Sequence, residues 1–299
     1  MEIVFAEPLP ANEPLLYLGQ RQRYPSVTDV VFVSSDRIVV AHRYACKLYY
    51  IELVADSHRI LDEIVIYNGA KKQQTEMMDI RGSTLYLISY TDSLTLIDIV
   101  GDSLKVRSQT VLNKTRSPYH GIQVHGNKVY ITPSNKAKGD DRIIVWNTET
   151  DRIDNRIQSP DLSANVRIKD ITFLTEDRIV ILGNYKTATP MTTPGHVFDG
   201  FIGLYTGDFR ELHTIQYAAT QFDSVVSKDG TFYATGSDLT SGYIYVGSLD
   251  PTDQTDRRIR INKYPVQDFP HGISICANKL AYTSYTTSAV YIVDVSIFS

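Results

Sequence analysis

The 299-residue sequence predicts an all-β fold, a six-bladed β-propeller with four antiparallel strands in each blade. Three observations predict it. A self-similar unit recurs six times, every 44 to 53 residues: a titratable residue, a short apolar strand, a polar turn and a second strand. Two further β-rich runs follow each unit, as four short strands per blade require. Alternation, β-branched and aromatic enrichment and turns such as Lys228-Asp229-Gly230 favour strands, and no long helical period occurs anywhere.

The segment Leu15 to Arg21, "LLYLGQR", precedes the first unit without a partner, so it is expected to close the ring as the outer strand of the last blade. Residues 1–14 then form an N-terminal extension of a single domain spanning 1–299. The six units are "SVTDVVFVSSDRIVVAHRY", "QQTEMMDIRGSTLYLISYT", "SPYHGIQVHGNKVYITPSN", "RIKDITFLTEDRIVILGNY", "TQFDSVVSKDGTFYATGSD" and "DFPHGISICANKLAYTSYT". Third strands follow as "KLYYIEL", "SLTLIDI", "RIIVWNT", "GFIGLYT", "GYIYVGSL" and "AVYIVDV". More polar fourth strands follow these, as in "RILDEIVI", "LKVRSQTVL" and "RRIRINKY".

Composition bounds the function classes. With 42% hydrophobic and 21% charged residues the chain can bury a core. A formal charge of −4 without a basic cluster argues against nucleic acid, and no stretch approaches the ~18 apolar residues of a membrane span. Cys46 and Cys276 are too few for a disulfide scaffold, and no secretory signal opens the sequence, so a cytoplasmic location is the simplest expectation. A mature secreted chain would read the same way.

Aligning each unit on its second strand puts Asp29, Glu76, His120, Asp170, Asp223 and His271 in equivalent places, nine residues before that strand. In a propeller the start of each inner strand crowds the mouth of the central channel, so six titratable side chains are expected to converge there. Like charges crowded at a narrow mouth raise one another's pKa unless a cation sits among them. The functional reading is therefore a divalent metal held by some of Asp29, Glu76, Asp170 and Asp223, with His120 and His271 as ligands or general base. The alternative is that these residues cap backbone N–H groups of neighbouring strands and record blade duplication. Rim positions after the second strands add Arg43, Tyr44, Tyr90, Tyr185 and Tyr285 as substrate-binding candidates, and the long loop 186–198 adds His196.

The stretches "FPHGISI" and "SPYHGIQV" resemble the P-x-G-I strand starts of six-bladed calcium-dependent hydrolases, the gluconolactonase (senescence-marker) family and the paraoxonases. In those families the residue before the glycine is commonly a metal ligand or, in paraoxonases, a catalytic His within a PHGIS stretch, which His271 matches. "KDITF" around Asp170 is similar to a ligand-bearing N-D-I stretch. The resemblance implies a calcium-assisted lactonase or esterase. Two histidines in place of oxygen ligands depart from it, and imidazole suits Zn or Mn better than Ca. Two classes of function follow. One is a metal-dependent hydrolase of lactonase or esterase type, or a related lyase or epimerase, acting on a small molecule with His271 or His120 activating water. The other is a non-catalytic propeller that binds a protein or small ligand.

Overall fold

The computed structural model describes residues 1–5, 27–55, 57–89, 93–112, 119–133, 142–157, 166–185, 199–238, 240–253, 255, 257–284 and 287–298, and the backbone of 14–17 and 20–23. Six four-stranded antiparallel sheets stand in a ring, as the repeat predicts. Their inner strands are Val27–Ser34, Thr75–Arg81, Tyr119–His125, Val166–Thr175, Gln221–Lys228 and Pro270–Cys276, for blades one to six. Each inner strand packs on the next around the axis, and that of blade six packs on that of blade one.

The hydrophobic runs of these strands are nearly continuous because both faces of every blade are covered. Six apolar clusters result, one at each blade junction. Leu48 and Tyr50 of blade one meet Leu85 and Leu87 of blade two, for example, and Ile244 of blade five meets Ile273 and Leu280 of blade six. Burial of this kind stabilises at about 25 cal/mol per Å² of apolar area removed from water, so the junctions contribute to holding the ring closed.

The ring closes differently from the sequence expectation. The outer strand of blade six is Glu2–Val4, paired antiparallel with Ala289–Asp294 through Ile3 opposite Val290. Leu15 to Arg21 is not the closing strand: Pro14–Tyr17 instead pairs with Gln20–Arg23 in a separate hairpin. Residues 2–4 have what an outer strand needs. Ile3 is buried in the junction with blade one, while Glu2 and Val4 on either side face solvent.

One local irregularity recurs in every blade and builds the centre. Near the start of each inner strand two residues oppose a single residue of the second strand, a β-bulge that re-aims a side chain. The pairs are Thr28-Asp29, Glu76-Met77, His120-Gly121, Lys169-Asp170, Asp223-Ser224 and His271-Gly272. Threonines opposite three of the bulges tie blades together. Thr132, Thr235 and Thr283 accept the bulge N–H of Gly121, Ser224 and Gly272 at 2.8–2.9 Å. Their hydroxyls donate to the carbonyls of Lys169, His271 and Thr28 in the next blade.

The bulge pairs repeat after three blades: Thr-Asp matches Lys-Asp, Glu-Met matches Asp-Ser, and His-Gly recurs. The chain therefore has an internal pseudo-two-fold axis along the channel. Among the inner strands only those of blades one and four carry a second bulge, at Phe32/Ser34 and Phe173/Thr175, and only they place an Asp in the second position of the first bulge.

Candidate metal centre at the propeller axis

The structural register puts Thr28, Glu76, His120, Lys169, Asp223 and His271 in equivalent positions, the first residue of each bulge. Four of these match the sequence expectation. Asp29 and Asp170 lie one residue further on, because the second bulge of blades one and four inserts a residue before the strand used for alignment. Counting two residues back from the first regularly paired apolar residue, Val30 or Ile171, would have found Thr28 and Lys169. Lys169 is the functional-site residue that the sequence reading missed.

Five side chains gather at the centre. Glu76, His120 and His271 offer one ligand atom each, all within 4.8 Å of one another and all buried. Asp223, 0% exposed, has Oδ1 at 3.8 Å from His120 Nε2 and 4.0 Å from His271 Nε2. The Lys169 ammonium donates to Asp223 Oδ1 at 3.2 Å and to His120 Nε2 at 3.1 Å. Gln221 adds an amide N–H to Asp223 at 3.0 Å. From the turn just after the second strand of blade one, Arg43 reaches Glu76 with Nη1 at 3.4 Å. The two carboxylates and two cations balance, which answers within the chain part of the cation demand that crowded acids create.

The histidines are kept neutral and oriented. His271 Nδ1 donates to the Thr28 carbonyl at 2.7 Å, which fixes the tautomer and leaves the Nε2 lone pair turned toward Asp223. Burial holds His271 below the usual imidazole range against the pull of Asp223 and Glu76. His120 is held well below it, first by burial and then by Lys169, His271 and Arg43. Its Nε2 accepts from Lys169, so it too presents a lone pair. The rings stand 5.4 Å apart between centroids. Glu76 Oε2 is buried and, beyond its ion pair with Arg43, accepts no hydrogen bond among the described residues.

The second bulge residues act otherwise. Asp29 accepts the Met78 N–H at 2.6 Å, and Asp170 accepts from Ser224 Oγ at 2.9 Å and Val225 N at 2.8 Å. Both carboxyls thus staple their blade to the next one, as in the capping alternative, and neither joins the axial cluster. They line, with Asp79, an axial cavity of about 170 Å³. Burial raises Asp29 well above the usual carboxylate range, Asp79 to about 7 and Asp170 to about 8. The same staples explain the His-Gly pairs. A Cβ on Gly272 would lie 2.2 Å from Asp29 Oδ1, and one on Gly121 2.3 Å from Asp170 Oδ1.

The rim candidates divide. Arg43 joins the centre. Tyr44 lies beside it, 5.9 Å from the guanidinium carbon to the ring centroid. Tyr185 accepts from Gln216 Nε2 at 3.0 Å and packs on Phe201, contacts of the blade and not of the axis. Tyr90, Tyr285 and His196 lie outside the described residues.

No family model and no curated protein matches the chain. Among solved structures it is similar to Kuenenia stuttgartiensis hydrazine synthase (TM-score 0.61, 12% identity, 91% of this chain and 77% of that one). It is also similar to the RRP9 WD40 repeats (TM-score 0.60, 12% identity, 96% and 99%) and to a streptogramin B lyase (TM-score 0.57, 11% identity, 93% and 96%). At such identities the likeness establishes the propeller fold, shared by enzymes and non-enzymes alike, and function has to be argued from the site. No helix among the described residues is long and apolar enough to cross a membrane.

Proposed function

We propose that the chain is a metal-dependent hydrolase of lactonase or esterase type with its site at the axial ring. The carrying observation is the buried group of Glu76, His120 and His271, three donors from three blades with both imidazoles neutral. One carboxylate oxygen and two imidazole nitrogens suit Zn or Mn better than Ca, which takes six to eight oxygens. A divalent ion held there supplies Lewis acidity toward a carbonyl oxygen. Coordination by His120 requires the Lys169 N–H to leave Nε2, and Asp223 is in place to retain the ammonium. Asp223, near both imidazoles, is the base positioned to take a proton from an attacking water. Arg43 orients Glu76.

The facing histidines fit a two-base epimerase less well. A carbon flanked by two bases needs about 3 Å on each side, roughly 6 Å between nitrogens, and the ligand atoms here lie within 4.8 Å. A non-catalytic binding propeller is the second reading, favoured by Lys169, which already fills the hydrogen-bonding demand of His120 and Asp223. The WD40 neighbours fit that reading. Metal analysis of purified protein together with aryl-ester and lactone turnover separates the two. A stoichiometric metal and turnover that vanish together in Glu76→Ala support the hydrolase, and a metal-free, inert wild type refutes it.

A further inference from the structure

The charges around the ring are not equally accessible. The acids lie deepest, with Glu76 and Asp223 side chains 3% and 0% exposed, whereas those of Arg43 and Lys169 are 11% and 16% exposed. The cations are therefore the more accessible members of the ring.

A third cation stands at the same end. Arg167, second residue of the inner strand of blade four, stands opposite Asn184, the position that Gln221 holds opposite Ser237 in blade five. Gln221 reaches Asp223 from there. Arg167 is only partly exposed, and its buried Nε has no hydrogen-bond partner among the described residues. No carboxylate among them pairs with it, and burial alone lowers its pKa. A guanidinium partly removed from water without a counter-ion is costly. It gains most from an oxyanion, to which it presents a planar fork of donors. Two residues on, Lys169 has three N–H groups and uses two, on Asp223 and His120. With neutral histidines, Arg43, Lys169 and Arg167 are three cations against the two carboxylates of Glu76 and Asp223 among the described residues of the ring.

We propose that the mouth of the axial ring binds a small oxyanion, carboxylate or phosphate in chemistry, with Arg167 as the principal contact and Lys169 beside it. The substrate class of the site is then an anionic small molecule held by its acid group while its reacting carbonyl lies deeper, over Glu76, His120 and His271. The position of the carbonyl rests on the hydrolase reading; the anion site does not.

The test uses full-length protein stripped of metal and dialysed, titrated calorimetrically with succinate and with inorganic phosphate at fixed ionic strength, chloride being the control. Saturable binding of one or both to wild type is expected, weakened at least tenfold in Arg167→Gln and by an intermediate factor in Arg167→Lys, which keeps the charge but loses the fork. Which anion binds more tightly decides between the carboxylate and phosphate sources. Because Arg167 pairs with no described residue, Arg167→Gln should fold with unchanged thermal stability. Absence of wild-type binding beyond chloride, or equal binding by wild type and Arg167→Gln, overturns the proposal. Metal-free protein makes either result independent of whether the ring holds an ion.

Discussion

Substituting Gly272 by Ala tests the packing that sets the axial ring. A Cβ at this position would lie 2.2 Å from Asp29 Oδ1, 2.6 Å from Asp29 Cα and 2.6 Å from the Thr28 carbonyl oxygen. Two of the three obstacles are main chain, so no rotamer change relieves them and the inner strands of blades six and one must separate. Separation strains two hydrogen bonds to the Thr28 carbonyl, from His271 at 2.7 Å and from Thr283 at 3.1 Å. Overpacking costs about 1–3 kcal/mol and each buried hydrogen bond lost about 1 kcal/mol, which together give roughly 3–5 kcal/mol. Urea unfolding of Gly272→Ala should show a loss of that size. Gly82→Ala is the comparison, since Gly82 has φ +58° and nothing within 4 Å of the place an added methyl would take, so only the left-handed backbone costs it, about 1 kcal/mol. The double variant Asp29→Ala, Gly272→Ala should not recover, because the main-chain contacts persist. A Gly272→Ala protein within 0.5 kcal/mol of wild type by this assay (about the scatter of surface substitutions), or one rescued by Asp29→Ala, refutes the reasoning.

Further expectations concern charge. Asp79 and Asp170 titrate near 7 and 8 when folded, against about 3.9 unfolded. Between these values the folded state holds protons that the unfolded state has released, so stability falls as pH rises from about 4 to about 8 and levels off above that, and from about pH 6.5 to 8 the histidines add no opposing trend. Thermal melts across that range should show the decline, flatter in Asp170→Asn, and a flat wild-type profile would contradict it. The histidines act oppositely: their folded pKa values are depressed, so stability is lost as pH falls below about 6.5, and His120→Gln should reduce that acid loss in the same melts. Lys169→Met removes the ammonium from buried Asp223 and should cost about 3 kcal/mol in urea unfolding, with no loss expected if Asp223 is carried by Gln221 alone. Thr235→Val leaves the Ser224 N–H and His271 carbonyl without their shared hydroxyl and should cost about 1–3 kcal/mol; a neutral effect would show that the threonine staples do not hold adjacent blades.

Much of this architecture was legible in the residues. The period of the repeat and its strand patterning specify blade number, and the P-H-G-I and Y-H-G-I stretches mark ring positions because glycine must follow where a neighbouring aspartate packs. Glu76 and Asp223 fell into register for the same reason as the histidines: blades two, three, five and six share one spacing from the first bulge to the second strand. Blades one and four do not, because the bulges at Phe32/Ser34 and Phe173/Thr175 lengthen the inner strand by one residue, and an offset counted from the second strand cannot see a bulge lying between. Asp29 and Asp170 therefore stood in for Thr28 and Lys169. The closing strand was hidden for a different reason: a three-residue strand with one buried side chain has too short a pattern to stand out from an N-terminal tail, whereas "LLYLGQR" looks more like a strand and pairs elsewhere. The long-range pairing of Arg43 with Glu76 and of Lys169 with Asp223 depends on blades meeting at the axis, which local sequence does not encode.

Glu76, His120 and His271 are proposed to hold a divalent ion. A crystal structure of zinc-soaked protein with anomalous data at the zinc edge tests it most directly. One anomalous peak is expected on the axis, about 2.0–2.2 Å from a Glu76 oxygen and from Nε2 of both histidines, with Lys169 withdrawn from His120 onto Asp223. An axis without a peak, and Lys169 still bridging His120 and Asp223, would contradict it.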